Sequence, residues 1–206
     1  MKKTLAAVLL GLSLTSAPAA AATLITDTNG QLTGASGVNV DGTLYDVVFG
    51  PGSCADNFGT CDSTTIFQFA TQTAAEAAAR ALLAQVFIND GTLLVDDIPT
   101  LTFGCTSAFV CQALIPYAAD DSFNSNVTAR NFPAANEVRD GVGSIRLSNS
   151  FSTTVGSTAP SVYASFTPAS AVPEPTTWLM LILGLFGVGS ALRGQSRSGP
   201  SRSAAA

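Results

Sequence analysis

Alternating apolar and polar positions predict paired β-strands early in the chain. Residues 38–40 and 43–49 flank the dipeptide Asp41-Gly42, and Asp-Gly between two β-prone runs is a strong hairpin signal. Gly50-Pro51-Gly52 ends the second run, and residues 66–69 predict another short strand. The folded region therefore begins as a small antiparallel sheet.

One segment has the periodicity of a helix. Residues 74–88 have high helix propensity, Thr73 and Glu76 have capping-box spacing, and residues 89–91 supply a stop signal. Glu76 and Arg80 can pair on the polar side. The apolar face comprises Ala75, Ala78, Ala79, Leu82, Leu83 and Val86. We expect this alanine-rich face to pack closely against the sheet.

Shorter signals follow the helix. Residues 93–95 and 101–103 are brief β-prone or loop segments, and residues 136–147 predict a strand pair around Asp140-Gly141. Residues 161–167 predict a last strand. Its apolar face comprises Val162, Ala164 and Phe166.

Ser and Thr supply 11 of the 23 residues at 148–170, so a flexible stalk is the alternative for part of that stretch. The predicted fold class is α+β. It consists of a small disulfide-bonded ectodomain of short antiparallel strands with one main helix, followed by a single C-terminal transmembrane helix.

The composition excludes several kinds of chemistry. The chain of 206 residues contains no histidine, which rules out Ser/His/Asp triads, Cys/His pairs and His-ligated metal sites. Between residues 23 and 172 there are 13 acidic residues and four arginines, a net charge of −9. Such a surface repels phosphate backbones, so nucleic acid is not an expected partner.

The first 22 residues have the pattern of a secretory signal peptide. Lys2 and Lys3 form a positive start, residues 5–14 are mostly apolar, and an alanine-rich stretch precedes a predicted cleavage near Ala22. The apolar run is about half of the roughly 20 residues that a membrane span needs. Signal peptidase is therefore an expected partner, and residues 23–167 are predicted to form an extracytoplasmic domain.

Four cysteines follow the signal peptide. Cys54 and Cys61 lie seven apart, and Cys105 and Cys111 lie six apart. Local disulfides are the simplest pairing in an oxidising compartment, although four cysteines allow three connectivities. A four-thiolate zinc site is the alternative, but zinc ligand pairs are usually spaced more closely.

Acidic residues offer the remaining candidates for chemistry. Asp96-Asp97 and Asp120-Asp121 could supply the two carboxylates of glycoside hydrolysis. Residues 27–30 and 120–126 contain oxygen ligands compatible with calcium, but neither completes a calcium loop. Turn formation explains both stretches more simply. No catalytic residue, metal site or cofactor is assigned.

The C-terminal part has three consecutive elements. Residues 168–177 form a linker that contains Pro173-Glu174-Pro175, and the prolines favour an extended backbone. Trp178 is suited to the membrane interface and begins an apolar helix at 178–192, about 22 Å long against a hydrocarbon core of about 30 Å. Arg193 opens the basic tail at 193–206, which we expect on the cytoplasmic side.

Residues 172–193 resemble the PEP-CTERM sorting signal of exported bacterial proteins. In this resemblance Pro173, Glu174 and Pro175 take the place of the recognition tripeptide, residues 179–192 that of the transmembrane helix, and Arg193 that of the basic flank. The resemblance implies recognition by exosortase, an integral-membrane cysteine peptidase. It also implies processing near the tripeptide and delivery to the envelope or an exopolysaccharide matrix.

The predicted function is therefore that of an exported surface or matrix-associated protein with a non-enzymatic ectodomain. Two alternatives stay open. One is a secreted, aspartate-dependent hydrolase acting on glycans and carrying the same tail. The other is a protein permanently anchored by its single C-terminal span.

Overall fold

A computed structural model of the protein describes residues 21–133, 139–154, 160–170 and 182–183. The strands are β1 Thr23–Thr26, β2 Leu32–Val40, β3 Thr43–Gly50, β4 Cys111–Ala119, β5 Phe123–Asn131, β6 Gly141–Ser148 and β7 Ser161–Pro168. The helices are α1 Cys54–Phe58 and α2 Gln72–Gln85, and short 3-10 turns span Thr64–Ile66 and Pro99–Leu101.

The strands form one sheet in the order β1-β2-β3-β7-β4-β5-β6. Every neighbouring pair is antiparallel except β4 and β7, which run parallel from Gln112↔Ser161 to Leu114↔Tyr163. The described region is thus mostly β-sheet with one main helix, which confirms the α+β fold class in its broad outline.

The predicted hairpin between β2 and β3 is confirmed. Asp41 and Gly42 both have positive φ, 49° and 88°, as a two-residue turn of type I′ requires. The side-chain oxygen of Asn39 accepts a hydrogen bond from the Gly42 N–H at 2.8 Å. Sequence and turn geometry therefore fix the register of these strands.

Two hydrophobic clusters lie on opposite faces of the sheet, since successive strand residues point to opposite sides. The larger cluster contains Val162, Ala164 and Phe166 of β7, together with the buried face of α2. The smaller cluster contains Tyr163 of β7 together with Cys54 and Phe67. The first cysteine loop therefore covers the face that α2 leaves open.

Helix α2 occupies nearly the predicted position, but its cap differs. Thr71 is the N-cap, and its hydroxyl accepts from the Ala74 N–H at 3.2 Å, so the predicted capping box at Thr73 is wrong. Glu76 and Arg80 form the predicted ion pair at 3.1 Å. On the predicted apolar face, Leu83 is partly buried. The other five residues are fully buried: Ala75, Ala78, Ala79, Leu82 and Val86.

The predicted strand at residues 66–69 is wrong. Residues Thr64–Ile66 form a 3-10 turn, and the chain then crosses between the two clusters. Phe67 joins the smaller cluster and Phe69 the larger one, whereas positions i and i+2 of a strand would share a face. Two separate cores thus determine the path of this segment.

The sequence pattern does not predict the hairpin of β4 and β5. In β5, polar residues occupy buried positions where an alternating pattern would place apolar ones. Asn124, Asn126 and Thr128 of β5 are fully buried, on the face opposite Val127 and Ala129.

Strands β7 and β6 bear on two further expectations. Strand β7 lies in the middle of the sheet, so the stalk alternative is wrong for Ser161–Pro168. Of the strand pair expected around Asp140-Gly141, the structure describes the second strand, β6, which pairs with β5, whereas residues 134–138 lie outside the described residues.

Candidate functional site

The four cysteines form two disulfides, Cys54–Cys61 and Cys105–Cys111. Local pairing is therefore confirmed, and the four-thiolate zinc alternative is wrong. All four side chains are buried. Cys54 opens α1 and packs in the cluster of Tyr163, so the first disulfide holds this short helix against the centre of the sheet.

Asp120 shapes the turn between β4 and β5. Its Oδ1 accepts from the N–H groups of Ser122 and Phe123 at 3.0 and 2.8 Å, and its Oδ2 pairs with Arg146 at 2.6 Å. These backbone hydrogen bonds, with the Arg146 charge, hold the pKa of Asp120 below its ordinary value. Asp120 is therefore unsuited to act as a general acid.

Asp27 has the same role between β1 and β2. Its Oδ1 accepts from the N–H groups of Gln31 and Asn29 at 2.9 and 2.8 Å, and the bond from Gln31 is the main reason that its pKa is lowered. Within residues 21–133, 139–154 and 160–170, no group of three or more acidic or cysteine side chains is arranged to hold a metal ion. Both candidate calcium stretches shape turns.

Asp96 and Asp97 lie on the loop that follows α2. Asn89 joins them: its Nδ2 donates to Asp97 Oδ2 at 3.0 Å, and its Oδ1 accepts from the Asp96 N–H at 3.2 Å. Partial burial, and then the charge of Asp97, raise the pKa of Asp96.

Asp140 is a carboxylate neighbour of Asp96 that the sequence did not indicate. Its Oδ1 accepts from the Phe132 N–H at 2.7 Å. Although the residue as a whole is exposed, desolvation of its carboxyl raises its pKa, and the charge of Asp96 adds to this effect. The structure thus groups Asp96 with two acidic neighbours.

A cleft opens where β4 and β7 diverge. The two strands pair as far as Leu114 and Tyr163. Beyond that point β4 stays paired with β5, and β7 stays paired with β3. In the described residues, the edges of β4 and β7 that face each other have no strand between them. We call this opening the interstrand cleft.

The interstrand cleft has a volume of about 390 Å³, at the small end of the range for ligand sites. Residues 66–69 close one side and α1 contributes another. The lining residues are Asn57, Phe58, Ile66, Gln68, Phe69, Ile115, Pro116, Ala164, Ser165, Phe166 and Thr167. None of them is charged, and none of the four aspartates proposed for catalysis is among them.

Aromatic contacts hold the walls of the cleft in place. Phe69 packs edge-on against Phe166 with ring centroids 5.1 Å apart, and Phe58 packs against Phe67 and Tyr163 at 5.5 and 5.9 Å. The apolar walls are therefore largely pre-formed, which lowers the entropic cost of binding.

Uncharged polar groups stand at the edge of these walls. Asn57 is fixed by its Nδ2, which donates to the Ser53 carbonyl at 2.9 Å. The Thr167 hydroxyl makes only a long bond of 3.4 Å, to the Asp46 carbonyl. The Gln68 amide and the Ser165 hydroxyl have no hydrogen-bond partner among the described residues. These groups can bind a ligand, but they lack an acid or a base.

The sorting residues Pro173, Glu174, Pro175, Trp178 and Arg193 lie outside the described residues. Of the predicted span at 178–192, the structure describes only Ile182 and Leu183, which are helical and exposed. Among the described residues no helix has the length and hydrophobicity needed to traverse a membrane. Comparison of the chain with protein-family models, curated proteins and solved structures gives no match.

Proposed function

We propose that the protein is exported and carried to the cell envelope or an exopolysaccharide matrix, and that its folded domain is a binding module rather than an enzyme. The observation that supports this most directly is the pair of disulfides. Every cysteine in the chain is paired with a near neighbour, and such bonds persist outside the reducing cytoplasm.

The C-terminal residues provide the address in this proposal. Pro173-Glu174-Pro175 is the segment recognised by an exosortase-type membrane peptidase, and residues 178–192 hold the chain in the membrane during recognition. The apolar segment is short for a bilayer and contains Gly184, Gly187 and Gly189, so it is better suited to temporary than to permanent anchoring.

A reporter fusion tests this proposal. Residues 168–206 are appended to a soluble periplasmic protein with its own signal peptide, in a host that has an exosortase. We expect the reporter to be trimmed near the tripeptide and found in the envelope or matrix fraction. A matched variant with Pro173→Ala, Glu174→Gln and Pro175→Ala should stay untrimmed. A wild-type fusion that stays soluble and untrimmed would refute the proposal.

The alternative of a glycan hydrolase is favoured by one observation, the raised pKa of Asp96 beside Asp97 and Asp140. A carboxyl with a raised pKa is what a general acid needs. If the purified protein degrades a polysaccharide, Asp96→Asn should abolish that activity and Asp62→Asn should preserve it. Equal activity of both variants would exclude Asp96 as the acid.

A further inference from the structure

We propose that the interstrand cleft binds a neutral sugar, one uncharged polyhydroxylated ring at a time. The inference concerns the folded domain alone, and it holds whether or not the C-terminal tail is processed. It rests on the split between β4 and β7, on the chemistry of the residues around the split, and on the size of the opening.

The lack of charge in the cleft argues against an ionic ligand. A charged group that entered would lose its hydration, and none of the described residues that line the cleft supplies an opposite charge. The acidic character of residues 23–172 also repels anionic polysaccharides. The ligand should therefore be neutral.

The polar groups in the cleft argue against a purely apolar ligand. Gln68 and Ser165 would lose water without gaining a hydrogen bond, and this loss weakens binding. Sugar hydroxyls donate and accept at once, as do amide and hydroxyl side chains. The C–H faces of a sugar ring can meanwhile pack on Phe58, which is only partly buried.

The facing strand edges supply further hydrogen-bonding groups. Beyond Leu114 and Tyr163, main-chain N–H and C=O groups of β4 and β7 border the opening without a strand between them. An extended peptide could also use these edges. Two features favour the sugar: the volume suits a single ring, and Pro116 of β4 has no N–H to offer a peptide strand.

The test uses the exported protein, ¹⁵N-labelled and purified with both disulfides closed. Its probes are glucose, galactose, mannose and N-acetylglucosamine, compared with glucuronic acid and with an uncharged β-forming octapeptide. We expect at least one neutral sugar to shift the backbone amide signals of Gln68, Ser165 and Thr167 in a saturable way, and the acid to shift none.

Variants locate the binding. Ser165→Val and Gln68→Leu should each lower the affinity for the sugar by about tenfold, the equivalent of one lost hydrogen bond to a ligand group. Thr43→Val, which removes an exposed hydroxyl at the β2–β3 turn, should leave affinity unchanged.

Three results would overturn the proposal. They are the absence of saturable shifts with every neutral sugar, binding that none of the cleft variants alters, and preferential binding of the octapeptide at the cleft. Ser165→Val lies on a central strand, so its fold is checked by its amide spectrum. If that variant does not fold, the exposed Gln68→Leu decides the outcome.

Discussion

Gln85, the last residue of α2, bonds to both main-chain groups of Asn39 in β2. Its Oε1 accepts from the Asn39 N–H at 2.9 Å, and its Nε2 donates to the Asn39 carbonyl at 2.8 Å. The Gln85 side chain thus makes the two hydrogen bonds to Asn39 that a residue of a neighbouring strand would make. This contact joins the end of the helix to the β2–β3 hairpin.

Removing this side chain should destabilise the fold. Gln85→Ala leaves two partly buried main-chain groups without their partner, at a cost of about 1 to 3 kcal/mol in the free energy of unfolding. Gln85→Glu should cost a similar amount, because a carboxylate cannot donate to the Asn39 carbonyl. Urea unfolding measures both. Gln72→Ala, at the exposed start of α2, is the control, because among the described residues its side chain bonds only the side chains of Glu76 and Tyr117 and no main-chain group. An effect of Gln85→Ala no larger than that of the control would contradict the prediction.

The two disulfides should each contribute to stability. By loop-entropy arguments, opening a ring this small costs about 2 kcal/mol. The double variant Cys54→Ala/Cys61→Ala should also loosen α1 and the cluster around Tyr163, because these side chains pack together. Cys105→Ala/Cys111→Ala is the matched variant, and the backbone amide signal of Tyr163, together with thermal unfolding, is the readout. If only the second variant altered the environment of Tyr163, the assigned role of the first disulfide would be wrong.

Gly50, the last residue of β3, should not tolerate a side chain. A Cβ built there would overlap the Oδ1 of Asn57, which the Ser53 carbonyl holds in place through Nδ2. We expect Gly50→Ala to cost about 1 to 3 kcal/mol, as overpacking usually does. Gly141→Ala is the control, since among the described residues its Cβ would meet nothing closer than 3.9 Å. Equal midpoints of urea unfolding for the two variants would contradict this.

The pH dependence of stability should have two opposite components. Backbone hydrogen bonds lower the pKa of Asp27, Asp56, Asp90 and Asp120, so their stabilising contribution is present above the ordinary value of 3.8 and is lost as the pH falls below it. Asp96 and Asp140 have raised pKa values, so the folded state loses stability as the pH rises from 3.8 through those values.

The double variant Asp96→Asn/Asp140→Asn separates these components. It should be more stable than the wild type at neutral pH, where it removes two disfavoured charges. The difference should vanish below pH 3.8, where both carboxyls are protonated in the folded and unfolded states. Urea unfolding at neutral pH and at the lower pH measures this stability difference, with Asp121→Asn as the control. A stability difference independent of pH would contradict the prediction.

Local signals made part of this fold predictable. The Asp41-Gly42 turn, the alanine-rich face of α2 and the near cysteine pairs each depend on residues close in sequence, and all three are confirmed. Strand β5 was not predictable, because Asn124, Asn126 and Thr128 are polar yet fully buried.

The interstrand cleft has no local signature. It depends on where β7, the last strand, enters the sheet between β3 and β4. Gln68 and Ser165 are ordinary polar residues in the sequence and become notable only when the strands beside them diverge. The proximity of Asp140 to Asp96 likewise depends on the pairing of β6 with β5.

The intact mass of the mature protein, recovered from cells that make an exosortase, tests the proposed sorting function most directly. We expect a chain that begins near Thr23 and ends close to the Pro-Glu-Pro tripeptide, without residues 179–206. In cells that lack the exosortase, the measured mass should include residues 179–206. A mature protein that keeps residues 179–206 in the presence of the peptidase would contradict processing and favour a permanent anchor.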